Sequence, residues 1–461
     1  MIVMKFGGTS VEDASAMRRV LQIIRTARER APLVVVSACS GVTNELIGAA
    51  QMAKGGDEQG ALSTLERIRK RHLLLIDSLV GAAKRALAVS GVEEMFGDLR
   101  DLVHGVFLLG ELTSRSLDSV TCCGERLSSL ILHAAAVEEG LTAELVDARE
   151  VMITDNNYSS AQPRTDEVER RAREIMLPRL RRGAVVVTQG FIGAAGDGTT
   201  TTIGRGGSDL TAAILGSVLG AEEIQIWTDV DGMMSADPRI IPESRPIGLM
   251  SFDEASELAY FGAKVLHPKT ILPAVRHNIP VRVLNSRRPG FGGTLIVPNL
   301  PEEDPRGGAR EIIKSIACKR GIVVINVGSS RMLMAHGFLA RLFSIFADYE
   351  KSVDVVATSE VSVSLTVDSE ESIPEIMEEL EQIGETRITR NKAIICVVGE
   401  GMKHTPGIAA RIFGALAGAG VNIEMVSEGA SEINLTLVVD EKDVEKAVRV
   451  LHGEFFPPGT D

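Results

Sequence analysis

"VMKFGGTSVEDA", residues 3–14, is the stretch on which the fold turns. A short apolar run ends on a lone lysine, Lys5, and gives way at once to Gly7, Gly8, Thr9 and Ser10. A buried strand end has no use for a charge, and a simple turn needs only one glycine. Glycines behind a strand let the backbone approach a ligand closely; their N–H groups can point at phosphate oxygens, and Lys5 supplies positive charge. The stretch is not a Walker A loop, because G-x-x-x-x-G-K-[ST] is absent.

Outward from it, short β-branched runs alternate with amphipathic segments as far as about Pro298, the signature of an α/β domain built on a mostly parallel sheet. The strand candidates are "IVMKF", "LVVVS", "AELVDA", "AVVVTQGF", "EIQIWTD" and "PVRVLN". Between the first two, Met17, Val20, Leu21 and Ile24 recur at helical spacing and predict one buried stripe. Residues from about Gly60 to Leu117 carry no strand signal and read as a helical insertion or lid.

"NLPEEDPRGGARE", 299–311, clusters Pro, Gly and charge without an apolar period and reads as a linker. Beyond it the chain repeats itself. "GFLARLFSIFADYEKSVDVV" from Gly337 aligns without gaps on "GIAARIFGALAGAGVNIEMV" from Gly407. Each unit reads β-α-β-β-α-β. The second lacks a final strand, while "EIIKSIACK" upstream is surplus, so that strand is expected to complete the second unit and interleave the two. The expected boundaries are 1–298 for the first domain, 312–390 for the first repeat with its donated leading strand, and 391–461 for the second.

A length of 461 residues favours more than one domain. A net charge of −13 without a long basic run argues against binding along a nucleic-acid backbone. No apolar run approaches the ~20 residues a membrane span needs, and "MIVMKFGG" lacks a signal-peptide pattern, so the cytoplasm is the expected compartment. Cys39, Cys122, Cys123, Cys318 and Cys396 are odd in number and lack metal-ligand spacing with His; reduced thiols and no protein metal centre are expected.

Two more clusters carry chemistry. In "TTTTIGRGGSDLTAA", Arg205, Gly206, Gly207, Ser208 and Asp209 stand where a loop enters a helix. Helix amides favour an anion there, Arg205 can clamp a carboxylate, and Asp209 can position Mg²⁺ or substrate; the plainer alternative is that Ser208 or Asp209 is only an N-cap. "IWTDVDGMMSADPR" puts Thr228 and Asp229 at a strand's carboxyl end, where open α/β sheets bind ligands, although "DVDG" can equally be a turn.

Together these stretches resemble aspartate kinases of the amino-acid kinase family. "KFGGTS", "VVVSACSGVTN", "GERLSS", "TQGFIG", "TTIGRGGSD", "WTDVDGMMSADPR", "FGAKVLHP" and "TSEVSVSLTVD" occur in the family's order over nearly the whole chain. The resemblance implies a three-layer α/β/α sandwich followed by two interleaved α+β (βαββαβ) ACT modules. It implies phosphoryl transfer from ATP, with Mg²⁺, to the β-carboxylate of L-aspartate, with Lys5, Gly8 and Asp209 catalytic. Thr43, Glu125, Phe191, Arg205 and Ser208 match aspartate-site positions, with Arg205 toward the α-carboxylate and Glu125 toward the α-ammonium. Lys5, Gly7, Gly8, Thr228, Asp229, Arg239 and Lys264 match the nucleotide side. Met234 stands in that nucleotide loop where some relatives carry tyrosine.

For the tail, the resemblance implies an amino-acid effector bound at ACT interfaces, with lysine favoured over threonine, and a homo-oligomer, dimer or tetramer, assembled through those modules. Its candidate residues are Met332, Gly337, Phe338, Leu339, Ser352, Val353, Asp354, Thr358 and Ser359, with Asp354 facing the effector's ammonium. The rivals are another amino-acid kinase, acting on glutamate or its N-acetyl derivative, and a sensor whose kinase has decayed. A fused homoserine dehydrogenase is not expected, since only "FPPGTD" follows the second module.

Overall fold

The computed structural model describes residues 1–262, 268–301, 311–329, 336–402, 405–428 and 433–457. It divides into two compact units, Met1–Met233 with Val265–Asn299, and Met234–Lys264 with Leu300–Asp461. Residues 234–264, expected inside the 1–298 domain, thus group with the C-terminal unit. Contacts remote in sequence draw them there: Glu254 Oε1 accepts from the Glu400 N–H at 2.9 Å, and Ile316 N–H donates to the Ser235 carbonyl at 2.8 Å.

In the first unit the strands are β1 (Ile2–Phe6), β2 (Pro32–Val36), β3 (Ala143–Val146), β4 (Ile153–Thr154), β5 (Val185–Gln189), β6 (Ile192–Ala195), β7 (Thr200–Thr202) and β8 (Glu223–Thr228). After β9 (Leu249–Ser251) of the second unit come β10 (Val281–Asn285) and β11 (Thr294–Val297). The main sheet of this unit runs β3-β5-β2-β1-β8-β10-β11, parallel throughout except for the antiparallel β10–β11 pair. β4, β6 and β7 form a small separate sheet.

The pleat of β1 explains the layers, because successive side chains point to opposite faces. Ile2, Met4 and Phe6 join a core with Met17, Val20, Leu21 and Ile24 of the helix Ala14–Thr26 and with Leu127 and Ile131 of Cys123–Glu138. Val3 and Lys5 face the other way, onto the helix Gly207–Leu219. That helix lies so close that a Cβ on Gly216 would come within 2.7 Å of the Ile224 side chain and 3.6 Å of Val3. A sheet covered on both faces reads as near-continuous Val and Ile, as β2 and β5 do.

The helices Glu58–Leu79 and Ala82–Leu109 bury Leu65, Ile68, Ile76, Phe96 and Leu99 in the same core. The helical insertion is therefore structural rather than a lid.

The second unit adds β12 (Ser315–Gly328), β13 (Val356–Thr358), β14 (Ser362–Val367), β15 (Glu385–Val398), β16 (Met425–Ser427) and β17 (Asn434–Asp440). Their antiparallel order is β13-β14-β12-β15-β17-β16. "EIIKSIACK" and "GIVVINV" are not separate strands: they run into each other as β12, with a register irregularity between Lys319 and Val324. The halves serve different cores. Ile316 of β12 packs with Ile395, Ile408 and Leu437, while Val323, Ile325 and Val327 pack with Leu342, Phe346 and Leu365. This is the interleaving of two ACT modules. The equivalent helices Phe338–Asp348 and Ile408–Gly418 both start behind a glycine at positive φ, Gly337 at 83° and Gly407 at 88°, where a side chain would strain the turn.

Candidate active site

Lys5 ends its side chain 2.7 Å from Asp209 Oδ1, in the first turn of Gly207–Leu219, a close charge contact rather than an aligned hydrogen bond. The N-cap of that helix is Gly206, at φ 74°, with no side-chain cap. Ser208 and Asp209 are therefore not caps. Gly207, Ser208 and Asp209 of the helix's first turn line one cavity with Lys5.

That cavity, about 250 Å³, is lined by Lys5, Thr43, Glu125, Phe191, Arg205 and Ser208 together with Asp209, Ser37 and the glycines 204, 206 and 207. All the aspartate-site residues named from the sequence meet there. A second hollow of about 260 Å³ shares Ser37, Thr43 and Glu125 and is closed by Gly8, Ser40, Gly41 and Asn44.

Glu125 dominates the electrostatics. It is buried, in the first turn of Cys123–Glu138, and its Oε2 has no hydrogen-bond partner. Burial pushes its pKa up to about 8, against the pull of the Ala38 and Glu125 backbone amides and of Lys5. Arg205 is exposed at the opposite charge, on the loop entering the helix.

Close packing holds these groups in place. A Cβ on Gly190 would fall 2.5 Å from the Ser208 Cβ, one on Gly207 2.8 Å from the Phe191 ring, and one on Gly8 2.9 Å from the Ala38 carbonyl. Phe191 itself sits at φ 67°, a conformation costly for a bulky residue, and its N–H donates to Thr211 Oγ1 at 3.1 Å.

Sequence reasoning missed Asp118. Its buried carboxylate accepts from Thr202 N–H and Oγ1, at 2.9 and 2.7 Å, and from Ser159 N–H and Oγ, at 2.9 and 3.2 Å, and so anchors β7 just ahead of the Arg205 loop. Nothing local marks it. Ser37, Ser40 and Asn44 were missed too, although all three lie inside "VVVSACSGVTN".

On the expected nucleotide side, Gly7 N–H donates to the Trp227 carbonyl at 3.0 Å, which sets the glycine turn beside the end of β8. Thr228 closes β8 and Asp229 follows it, exposed and with its Oδ1 accepting from Thr228 at 3.2 Å. Met234 and Arg239 belong to the second unit, where Met234 bridges to Pro246 and Arg239 pairs with Asp237 at 2.6 Å. Lys264 lies outside the described residues.

In the tail, Met332 also lies outside the described residues. Phe338 is half-buried and packs against the first module's core, whereas Leu339 is 39 % exposed. Val353 packs against that core, Thr358 ends β13, and Ser359 Oγ meets Ser362 Oγ at 2.8 Å. Ser352 is exposed. Asp354 is not an unpartnered carboxylate: its Oδ2 is 2.9 Å from Lys319 Nζ, and its Oδ1 accepts from Tyr260 at 2.6 Å. Among the described residues no group of three His, Cys, Asp or Glu could hold a metal ion, and no helix is long and apolar enough to cross a membrane.

A lysine and glycines at the end of a parallel strand, facing a helix N-terminus across a small charged cavity, define an amino acid kinase. The amino acid kinase family profile matches residues 1–285, and an ACT domain profile matches 395–455. Aspartokinase 1 of Arabidopsis thaliana chloroplasts is 37% identical, the match covering 99% of this chain and 80% of that protein. The R-state structure of Escherichia coli aspartokinase III with aspartate and ADP is similar at a TM-score of 0.84 and 35% identity, over 99% of this chain and 100% of that one. Its T-state structure with lysine and aspartate gives 0.79 at 35% identity, over 99% of each chain. This chain belongs to the aspartokinase family.

Proposed function

We infer that the chain transfers the ATP γ-phosphate to the β-carboxylate of L-aspartate, giving 4-phospho-L-aspartate for lysine, threonine and methionine biosynthesis, under feedback inhibition by lysine at the ACT modules. One observation carries the substrate class. Glu125, whose buried Oε2 has no partner, lines the same cavity as Arg205. A buried carboxylate of this kind calls for a cation, and an exposed guanidinium beside it for a carboxylate. An α-amino acid supplies both, whereas an N-acetylated one has no ammonium for Glu125.

The β-carboxylate is already ionised at neutral pH, so no residue need act as general base. The barrier lies in bringing one anion against another. Lys5 neutralises charge on the transferred group, Asp209 holds the Lys5 ammonium in place, and the positive end of the helix Gly207–Leu219 stabilises the remainder. Thr43, Ser208 and Phe191 shape the aspartate site, and Thr228 and Asp229 serve the nucleotide; Met234, Arg239 and Lys264 keep the nucleotide roles that the family resemblance implies. Asp209 and Ser208 offer hard oxygens that would help hold Mg²⁺, which when bound would further neutralise charge on the phosphates.

The five free cysteines fit a reducing compartment, the cytoplasm. ACT modules pairing between subunits would make the enzyme a dimer or tetramer, which sedimentation would measure. The deciding test is turnover with ATP and each of aspartate, glutamate and N-acetylglutamate, the acyl phosphate being trapped with hydroxylamine. Hydroxamate from aspartate alone is the expected result. Turnover of another acid in its place overturns the reading.

A further inference from the structure

Four residues of the second unit, far apart in sequence for the most part, converge on one small charge cluster. Lys319, at the irregularity of β12, directs its ammonium to Asp354 Oδ2 at 2.9 Å and to Asp368 Oδ2, just beyond β14, at 3.0 Å. Tyr260, on the helix Phe252–Phe261, donates to Asp354 Oδ1 at 2.6 Å, and its ring centroid lies 5.2 Å from the same ammonium. The Asp354 side chain is only 2 % exposed, and both of its oxygens are engaged.

We propose that Lys319 is a built-in occupant of the ammonium subsite at Asp354, held with Tyr260, and that a free amino acid carrying a side-chain ammonium binds by displacing it. This rests on reading Asp354 as the effector's ammonium partner. A carboxylate this buried cannot stand uncompensated, so in the absence of ligand the chain supplies a cation of its own. The tethered group is chemically the ligand's own head: an alkylammonium on a four-carbon stem.

Two consequences follow. The buried Asp354 carboxylate has a counter-charge within its own chain, which spares the fold an unpaired buried charge. The ligand's apparent affinity is also lowered, because only the fraction of molecules with Asp354 released is competent to bind. Lys319 is thus an affinity-setting residue; Asp368, 45 % exposed, offers its ammonium a place to go when it leaves Asp354.

The test is a titration with L-lysine of the full chain, read both as inhibition relative to each protein's own uninhibited rate and as heat of binding. Wild type is compared with Lys319→Met, which keeps the stem and removes the charge, and with Tyr260→Phe, which keeps the ring and frees Oδ1. The half-saturating lysine concentration is expected to fall at least about fivefold in Lys319→Met and about twofold in Tyr260→Phe. A concentration unchanged or raised in Lys319→Met overturns the proposal. Should that variant fail to fold by thermal melt, Tyr260→Phe decides by the same criterion. A wild type that neither binds nor responds to lysine overturns the effector reading itself, and is told apart because the fault then lies in the unaltered chain.

Discussion

Glu125 gives the proposed aspartate site a pH signature. Its carboxyl holds a proton up to about pH 8 in the folded, ligand-free protein, because burial without a cation disfavours the charge. In the unfolded chain the same group releases its proton near 4.5. The folded state therefore binds more protons across that window, so stability falls as pH rises through it, and Glu125→Gln should melt higher than wild type at pH 9. Aspartate's ammonium would expel the proton. Calorimetry at pH 7 in buffers of different ionisation enthalpy should show proton release on aspartate binding by wild type and none by Glu125→Gln; equal release in both removes Glu125 from the ammonium site. Lys5 acts later. Its charge matters most as negative charge moves onto the transferred group, so Lys5→Ala should lower kcat by roughly a hundredfold or more, with a far smaller change in KM for aspartate. Near-normal turnover would exclude it from the chemistry.

At the scale of elements, the helix Gly207–Leu219 does the positioning. Its first turn carries Ser208 and Asp209, its body packs on β1 and β8 through Gly216, and Gly190 at the end of β5 lets Ser208 approach. Gly190→Ala would set a methyl group 2.7 Å from the Ser208 Cα, which is backbone and cannot swing aside. The helix start must move. A loss of about 1–3 kcal/mol in stability is expected, the usual cost of overpacking, together with a raised KM for aspartate. Denaturant unfolding and steady-state kinetics check the two parts, and an unaltered KM would mean that the helix start is not what places the substrate groups.

For the whole molecule the prediction concerns linkage. An inhibitor shifts an equilibrium only by its differential affinity for the two states, and Asp354 would supply much of lysine's. Asp354→Ala should therefore lose its response to lysine, in a titration at fixed aspartate with threonine alongside. Persistent lysine inhibition would sink the assignment. In wild type, lysine and aspartate must also change each other's affinity by the same factor, a reciprocity that calorimetry in either order of addition can test.

By itself the sequence determined what depends on near neighbours and on pattern. The apolar period of Met17, Val20, Leu21 and Ile24, the strand of Lys5, the glycine turn and the seventy-residue repeat are local signals, and each reads the same in the folded chain. The residues proposed for the aspartate site could be named because family motifs mark them one by one, and they line one cavity. The tertiary structure alone decided what depends on residues far apart. Asp118 and Thr202 are separated by 84 positions, and Tyr260 and Asp354 by 94, so no window along the chain could show that one carboxylate anchors β7 and the other already has a cation. It joined two expected strands into β12 because each half serves a different core, and it moved residues 234–264 to the C-terminal unit. It also left Glu125 without a partner, and burial is a property of everything packed around a group rather than of its place in the chain.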